Sequence, residues 1–118
     1  MDCSTSLNEI VKRCLETEIN CIAIADHGTI EGALEMQNIA PFPIIIAEEI
    51  LTPNGEIMGM FLKETISSGI TIEQAIAEIK SQDGLVNIPH LFDPIRGLKI
   101  SKDQLEKLVN QIDIIEVF

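Results

Sequence analysis

Apolar residues along this chain fall into two rhythms, one with the spacing of a helix face and one of short, unbroken, β-branched runs. Ser6 followed by Glu9 has the form of a capping box, and Leu7, Ile10, Val11, Cys14 and Leu15 then recur on one face, which predicts a helix over Leu7–Thr17. Cys21–Ala25 is a short apolar run that stops at Asp26-His27-Gly28, the form of a buried strand opening into a loop. A second helix is expected over Thr29–Asn38. Pro41 and Pro43 then bracket the entry to a strand at Ile44-Ile45-Ile46 that ends in Ala47-Glu48-Glu49. Pro53-Asn54-Gly55 carries turn chemistry, because Asn and Gly tolerate positive φ, so Ile50-Leu51 and Ile57–Leu62 should form an antiparallel hairpin. Thr71 with Gln74 is a second capping box and opens a helix through Ile72, Ala75, Ile76 and Ile79 that stops at Asp83-Gly84. A strand at Leu85–Ile88 closes at Pro89-His90, and a loop runs to Gly97. Ser101 with Gln104 caps a last helix bearing Leu105, Leu108 and Val109, and Ile112–Phe118 reads as a final strand.

Helix and strand alternate throughout, which argues for an α/β fold with a mainly parallel sheet or barrel and one inserted hairpin. The 118 residues suffice for one core. The opening helix has no strand before it and the last strand no helix after it, so both ends read as truncated, and open sheet edges should make the fragment self-associate.

Composition narrows the class. Apolar residues make up 46%, with Ile, Leu, Val and Ala far outnumbering Phe and with neither Trp nor Tyr, as suits buried strands alternating with helices. Nineteen acids against eight bases give a formal charge of −11, which disfavours non-specific nucleic-acid binding and favours a small substrate. Cys3, Cys14 and Cys21 are odd in number and lack CxxC spacing, so neither a disulfide framework nor a thiolate zinc site is indicated, and a cytoplasmic setting is expected. No apolar stretch reaches the roughly 18 residues that a membrane span needs.

The candidate chemistry is concentrated in the two histidines, His27 and His90, each set just past an apolar run. In parallel α/β folds the carboxyl ends of strands form the functional face, so groups there converge from distant positions. Glu48 or Glu49 occupies the same kind of position, and two histidines with a carboxylate make a plausible metal shell. The bland alternative makes both histidines polar loop residues, Asp26 a cap for the following helix, and the Glu pair a solvated surface.

The ordered set Ala25-Asp26-His27-Gly28-Thr29, Ala47-Glu48-Glu49-Ile50, Pro89-His90-Leu91-Phe92-Asp93 and Ile114-Ile115-Glu116-Val117-Phe118 resembles the PHP (polymerase and histidinol phosphatase) family over nearly the whole chain. The resemblance implies that residues 1–118 are a single incomplete domain, part of a distorted βα barrel of about seven strands when complete. It implies a cluster of two or three divalent metal ions, Mn, Zn or Fe, that hydrolyses phosphate esters through a metal-activated hydroxide. His27 matches the histidine of the Asp-His motif, Glu49 the bridging carboxylate before an Ile, and His90 the histidine of the His-Pro-Phe motif, with Leu91 where the family usually has Pro. Asp2 matches the acid that follows the opening segment. Glu56 stands in the strand after the hairpin, where many members carry a histidine. No catalytic side chain is implied beyond this metal site, and Arg96 is placed after His90 to meet a substrate phosphate through its bidentate fork.

The family's opening His-x-His and closing Asp-x-His occur nowhere in these residues, so only part of the ligand set is present. The expected activity is that of a PHP-type phosphoric ester hydrolase, a phosphatase or phosphodiesterase that is inactive as this fragment. Its substrate would be a small phosphorylated molecule or a nucleic-acid end, away from any membrane. The alternative is a non-catalytic PHP-like binding or assembly module.

Overall fold

In the computed structural model, which describes residues 6–90 and 97–116, the alternation of elements is as expected. Helix α1 spans Leu7–Glu16, strand β1 Ile22–His27, α2 Glu31–Ile39, β2 Ile44–Thr52 and β3 Gly55–Met60. Helix α3 follows at Ile72–Ser81, then β4 at Leu85–Ile88, α4 at Lys102–Leu108, a 3-10 turn at Val109–Gln111 and β5 at Ile114–Ile115. The strands form one five-stranded sheet in the order β1-β2-β3-β4-β5. β1 and β2 pair in parallel, β3 is antiparallel to both of its neighbours, and β4 and β5 pair in parallel. Among the described residues the sheet is open, with β1 and β5 at its edges, and it does not close into the barrel that the family resemblance implied.

Local chemistry explains where the helices start. The hydroxyl of Ser6 accepts from the Glu9 N–H, that of Thr71 from Gln74, and that of Ser101 from Gln104, each satisfying a donor that the first turn leaves over. At Thr71 the box is reciprocal, the Gln74 side chain accepting the Thr71 N–H. Asp83 ends the α3 region in the left-handed conformation at φ 61°.

Three strand boundaries differ from the sequence reading. β1 does not stop at Ala25 but runs on through Asp26 and His27. β2 does not end at the acids but continues to Thr52, because the hairpin Pro53-Asn54 simply extends the strand begun at Ile44. β3 starts at Gly55 and ends at Met60. The alternation of faces then places the acids: Ile24, Asp26, Glu48 and Ile50 point to the helix side, and His27 and Glu49 to the other. The final strand is short in the described residues, and its expected end at Val117 and Phe118 lies outside them.

All four helices pack on one face of the sheet. Leu7, Ile10 and Val11 of α1 and Ala33 and Met36 of α2 cover Ile22 and Ile24. Ile72, Ala75, Ile76 and Ile79 of α3 and Leu108 of α4 close over Ile50, Ile57, Val86 and Ile88. A fully buried Ile contributes about 1.5–3 kcal/mol, so this face holds the fold together. α3 can lie this close because β3 has Gly59 beneath it: a Cβ there would sit 2.9 Å from Cγ1 of Ile79. Among the described residues no helix is long and apolar enough to cross a membrane.

The parallel pair β4–β5 is locked by Asp113, which accepts from the Val86 N–H at 2.8 Å and pairs with the ammonium of Lys80 at the end of α3. Lys80, then the Val86 N–H, hold this carboxyl below its ordinary value. A depressed carboxylate stabilises the fold above its unfolded pKa, and that contribution is lost as pH falls through its folded pKa. Asp113→Asn should therefore cost about 1 kcal/mol at pH 7, discounted for partial exposure. In denaturant titrations the deficit should vanish in acid, and a pH-independent deficit would exclude the ion pair as its cause.

Candidate metal centre

On the helix-free face, register brings distant residues into one place. His27 is the lateral partner of Glu49 across β1–β2, and Glu56 is the partner of Leu51, two residues further along β2 and therefore on the same face as Glu49. Nε2 of His27 lies 2.5 Å from Oε2 of Glu49 and 3.7 Å from Oε2 of Glu56. His27, Glu49 and Glu56 offer ligand atoms that all lie within 4.8 Å of one another.

His90 arrives from the next parallel strand by a different device. Strict alternation from buried Ile88 would send its side chain to the helix side. His90 instead adopts φ 55° two residues past the end of β4, a conformation rare for a bulky residue, and its Nε2 ends 4.0 Å from Glu56 Oε2. The imidazole is mostly covered, with 18% of the side chain exposed, whereas that of His27 is half exposed.

Glu56 is the key to what this cluster can hold. Its Oε2 is buried without a hydrogen-bond partner, yet it sits between two imidazole nitrogens, 3.7 and 4.0 Å away. Two donors bound to one ion at roughly 2.0–2.2 Å each stand about 3–4 Å apart, so these separations suit a shared divalent cation better than a direct hydrogen bond. The 2.5 Å pair is closer than that, so an ion entering beside Glu49 would replace the contact it now makes with His27. His27, Glu49 and Glu56 together form a mixed imidazole and carboxylate group that could hold a metal ion, with His90 beside Glu56.

Of the residues proposed from sequence, His27, Glu49, Glu56 and His90 are thus brought together. Asp2 and Arg96 lie outside the described residues. The bland reading of the acids does not hold for Asp26, which is buried in β1, while α2 begins at Glu31 after an N-cap, Ile30, that makes no side-chain cap bond. Nor is Glu48 solvated. It is fully buried on the helix side, one oxygen accepting from the Ile66 N–H at 2.8 Å and the other buried with no partner. Burial pushes its carboxyl up, the Ile66 N–H partly offsets this, and the Glu78 charge adds to the rise. Sequence reasoning missed this residue because adjacent acids at a presumed strand end look alike until the strand is extended and its faces are counted.

No family model matches the chain. It is 38% identical over 112 residues to the uncharacterized protein MJ1587 of Methanocaldococcus jannaschii, an alignment covering 92% of this chain and 63% of that protein. It is 31% identical over 110 residues to the uncharacterized protein MJ0417 of the same organism, covering 91% of this chain and 43% of the relative. The chain therefore spans less than two thirds of either relative. Its fold is similar to that of a Bifidobacterium adolescentis protein whose crystal structure is described as a "putative metal-dependent phosphoesterase", with a TM-score of 0.77 at 14% identity, over 99% of this chain and 73% of that one.

Glu56→Gln and His90→Ala should each weaken Mn²⁺ binding by at least about tenfold in isothermal titration. Glu31→Gln, on α2 and outside the cluster, should leave it unchanged. Equal affinities across all three variants would show that the cluster is an ordinary set of ion pairs.

Proposed function

We propose that this chain carries the central part of a PHP-type metal-dependent phosphoesterase domain, and that the open sheet is a segment of that family's distorted βα barrel. The observation that carries the reading is Glu56 Oε2, buried, without a hydrogen bond and within 4.0 Å of the imidazole nitrogens of both His27 and His90. Three further facts support it. Candidate residues proposed from sequence lie close together, they do so on the face that no described helix covers, and the fold is similar to that of a protein described as a putative metal-dependent phosphoesterase.

In this reading Glu49, facing His27, would hold metal together with His27, Glu56 and His90, the part of the shell that these residues supply. Asp2 adds a further carboxylate, and Arg96 pairs with the substrate phosphate through its planar fork. Mn, Zn or Fe ions, two or three in the complete domain, would supply Lewis acidity toward the phosphoryl oxygens and lower the pKa of water. The chain's own groups hold and orient: the left-handed turn fixes His90, and the sheet register fixes Glu49 and Glu56 relative to His27. The acidic surface favours a small phosphorylated substrate over a polymer, with a nucleic-acid end as the alternative, and the setting is cytoplasmic.

The test is hydrolysis of a generic phosphomonoester and a phosphodiester with added Mn²⁺. This chain alone is compared with a longer form carrying the additional segments of its relatives. The longer form should bind several metal ions and turn over, and His90→Ala should remove at least about 100-fold of that rate. A longer form that binds metal and stays inert would favour the binding or assembly module instead.

A further inference from the structure

We infer that Glu48 is a positioning residue for the candidate metal centre: its buried carboxylate holds segment 65–69 against the Gly28–Ile30 turn and so fixes the imidazole of His27. Its functional meaning rests on the metal-site reading above, whereas its geometry does not.

Glu48 stands on the helix side of β2, between Asp26 of β1 and Gly59 of β3 in register, in a layer that is otherwise mostly apolar. An Ile there would fill the space without burying a charge, so the acid needs a reason. Oε2 of Glu48 and Oδ2 of neighbouring Asp26 are both buried without partners, which makes the position costlier still. What the carboxylate secures is the Ile66 N–H, at 2.8 Å, in the connection between β3 and α3.

Ile66 is fully buried, and the residues flanking it grip the far side of the sheet end. The Thr65 hydroxyl accepts from the Ile30 N–H at 3.4 Å, and the Gly69 N–H donates to the Leu51 carbonyl at 3.1 Å. Oγ of Ser68 lies 3.4 Å from where a Cβ on Gly28 would be. Gly28 follows His27 directly, takes φ +73°, and donates its N–H to the Glu49 carbonyl at 3.1 Å. The chain of hydrogen bonds therefore runs from Glu48 through Ile66 and its neighbour Thr65 to Ile30, at the end of the turn that follows the half-exposed His27. A buried acceptor beneath the sheet thereby sets a ligand above it.

The experiment compares Mn²⁺ affinity and the imidazole resonances of His27 and His90 in the parent chain, Glu48→Leu and Glu48→Gln. Leu has similar bulk and no acceptor. It should weaken Mn²⁺ binding roughly tenfold or more and move the His27 resonances, leaving those of His90 and the circular dichroism in place. Gln, which still accepts from Ile66, should restore both readouts. A folded Glu48→Leu with parental affinity and unmoved His27 resonances overturns the inference. Thr65→Val, which removes the acceptor for Ile30, gives the same readout should Glu48→Leu fail to fold, and unmoved His27 resonances there count equally against it. If the parent binds no Mn²⁺, the metal-site reading falls and the His27 resonances alone decide the positioning.

Discussion

Everything in this molecule's candidate chemistry depends on the parallel register between β1 and β2. His27 faces Glu49 only because Ile22 pairs with Ile44 and each following residue stays in step. Side chains alternate faces along a strand, so a slip of one residue would turn either His27 or Glu49 into the helix layer and bring Asp26 or Glu48 out in its place. The register is enforced from the other side of the sheet, where Ile22, Ile24, Ile44 and Ile46 are packed by α1 and α2. Apolar burial therefore aligns the polar face without touching it.

The antiparallel strand β3 is the second determinant. A purely parallel arrangement would put a crossover helix between β2 and its neighbour, and the next donor would come from a remote position. The two-residue hairpin instead returns the chain at once, so Glu56 descends on the same face as Glu49 and within reach of both histidines. The hairpin tip is itself anchored. The Lys99 N–H donates to the Asn54 carbonyl at 2.7 Å, and the Asn54 amide donates to the Lys99 carbonyl at 3.2 Å. This ties the hairpin to the residues just before α4.

Much of this was legible in the chain. The capping boxes, the Pro-Asn-Gly turn and the buried runs placed every helix and strand in order, because local chemistry decides those features. His27, Glu49 and His90 were named from motif order, and Glu56 only as an acid standing where many family members carry a histidine. Not legible were the strand ends at the acids. Asp26, Glu48 and Glu49 interrupt the apolar runs and look like loop residues, whereas ladder pairing carries the strands through them. Nor could periodicity show that His90 turns toward Glu56, since that follows from a single left-handed residue. The buried role of Glu48 depends on the segment around Ile66, which carries no motif and takes its path from tertiary packing.

The most direct test of the central claim is anomalous diffraction from a crystal of this chain soaked with Zn²⁺. The account predicts a peak within roughly 2.0–2.2 Å of His27 Nε2 and of carboxylate oxygens of Glu49 and Glu56, with His90 Nε2 drawn in from the Glu56 side. Zinc found only elsewhere on the surface, with none beside Glu56 Oε2 and the two imidazoles, would contradict it.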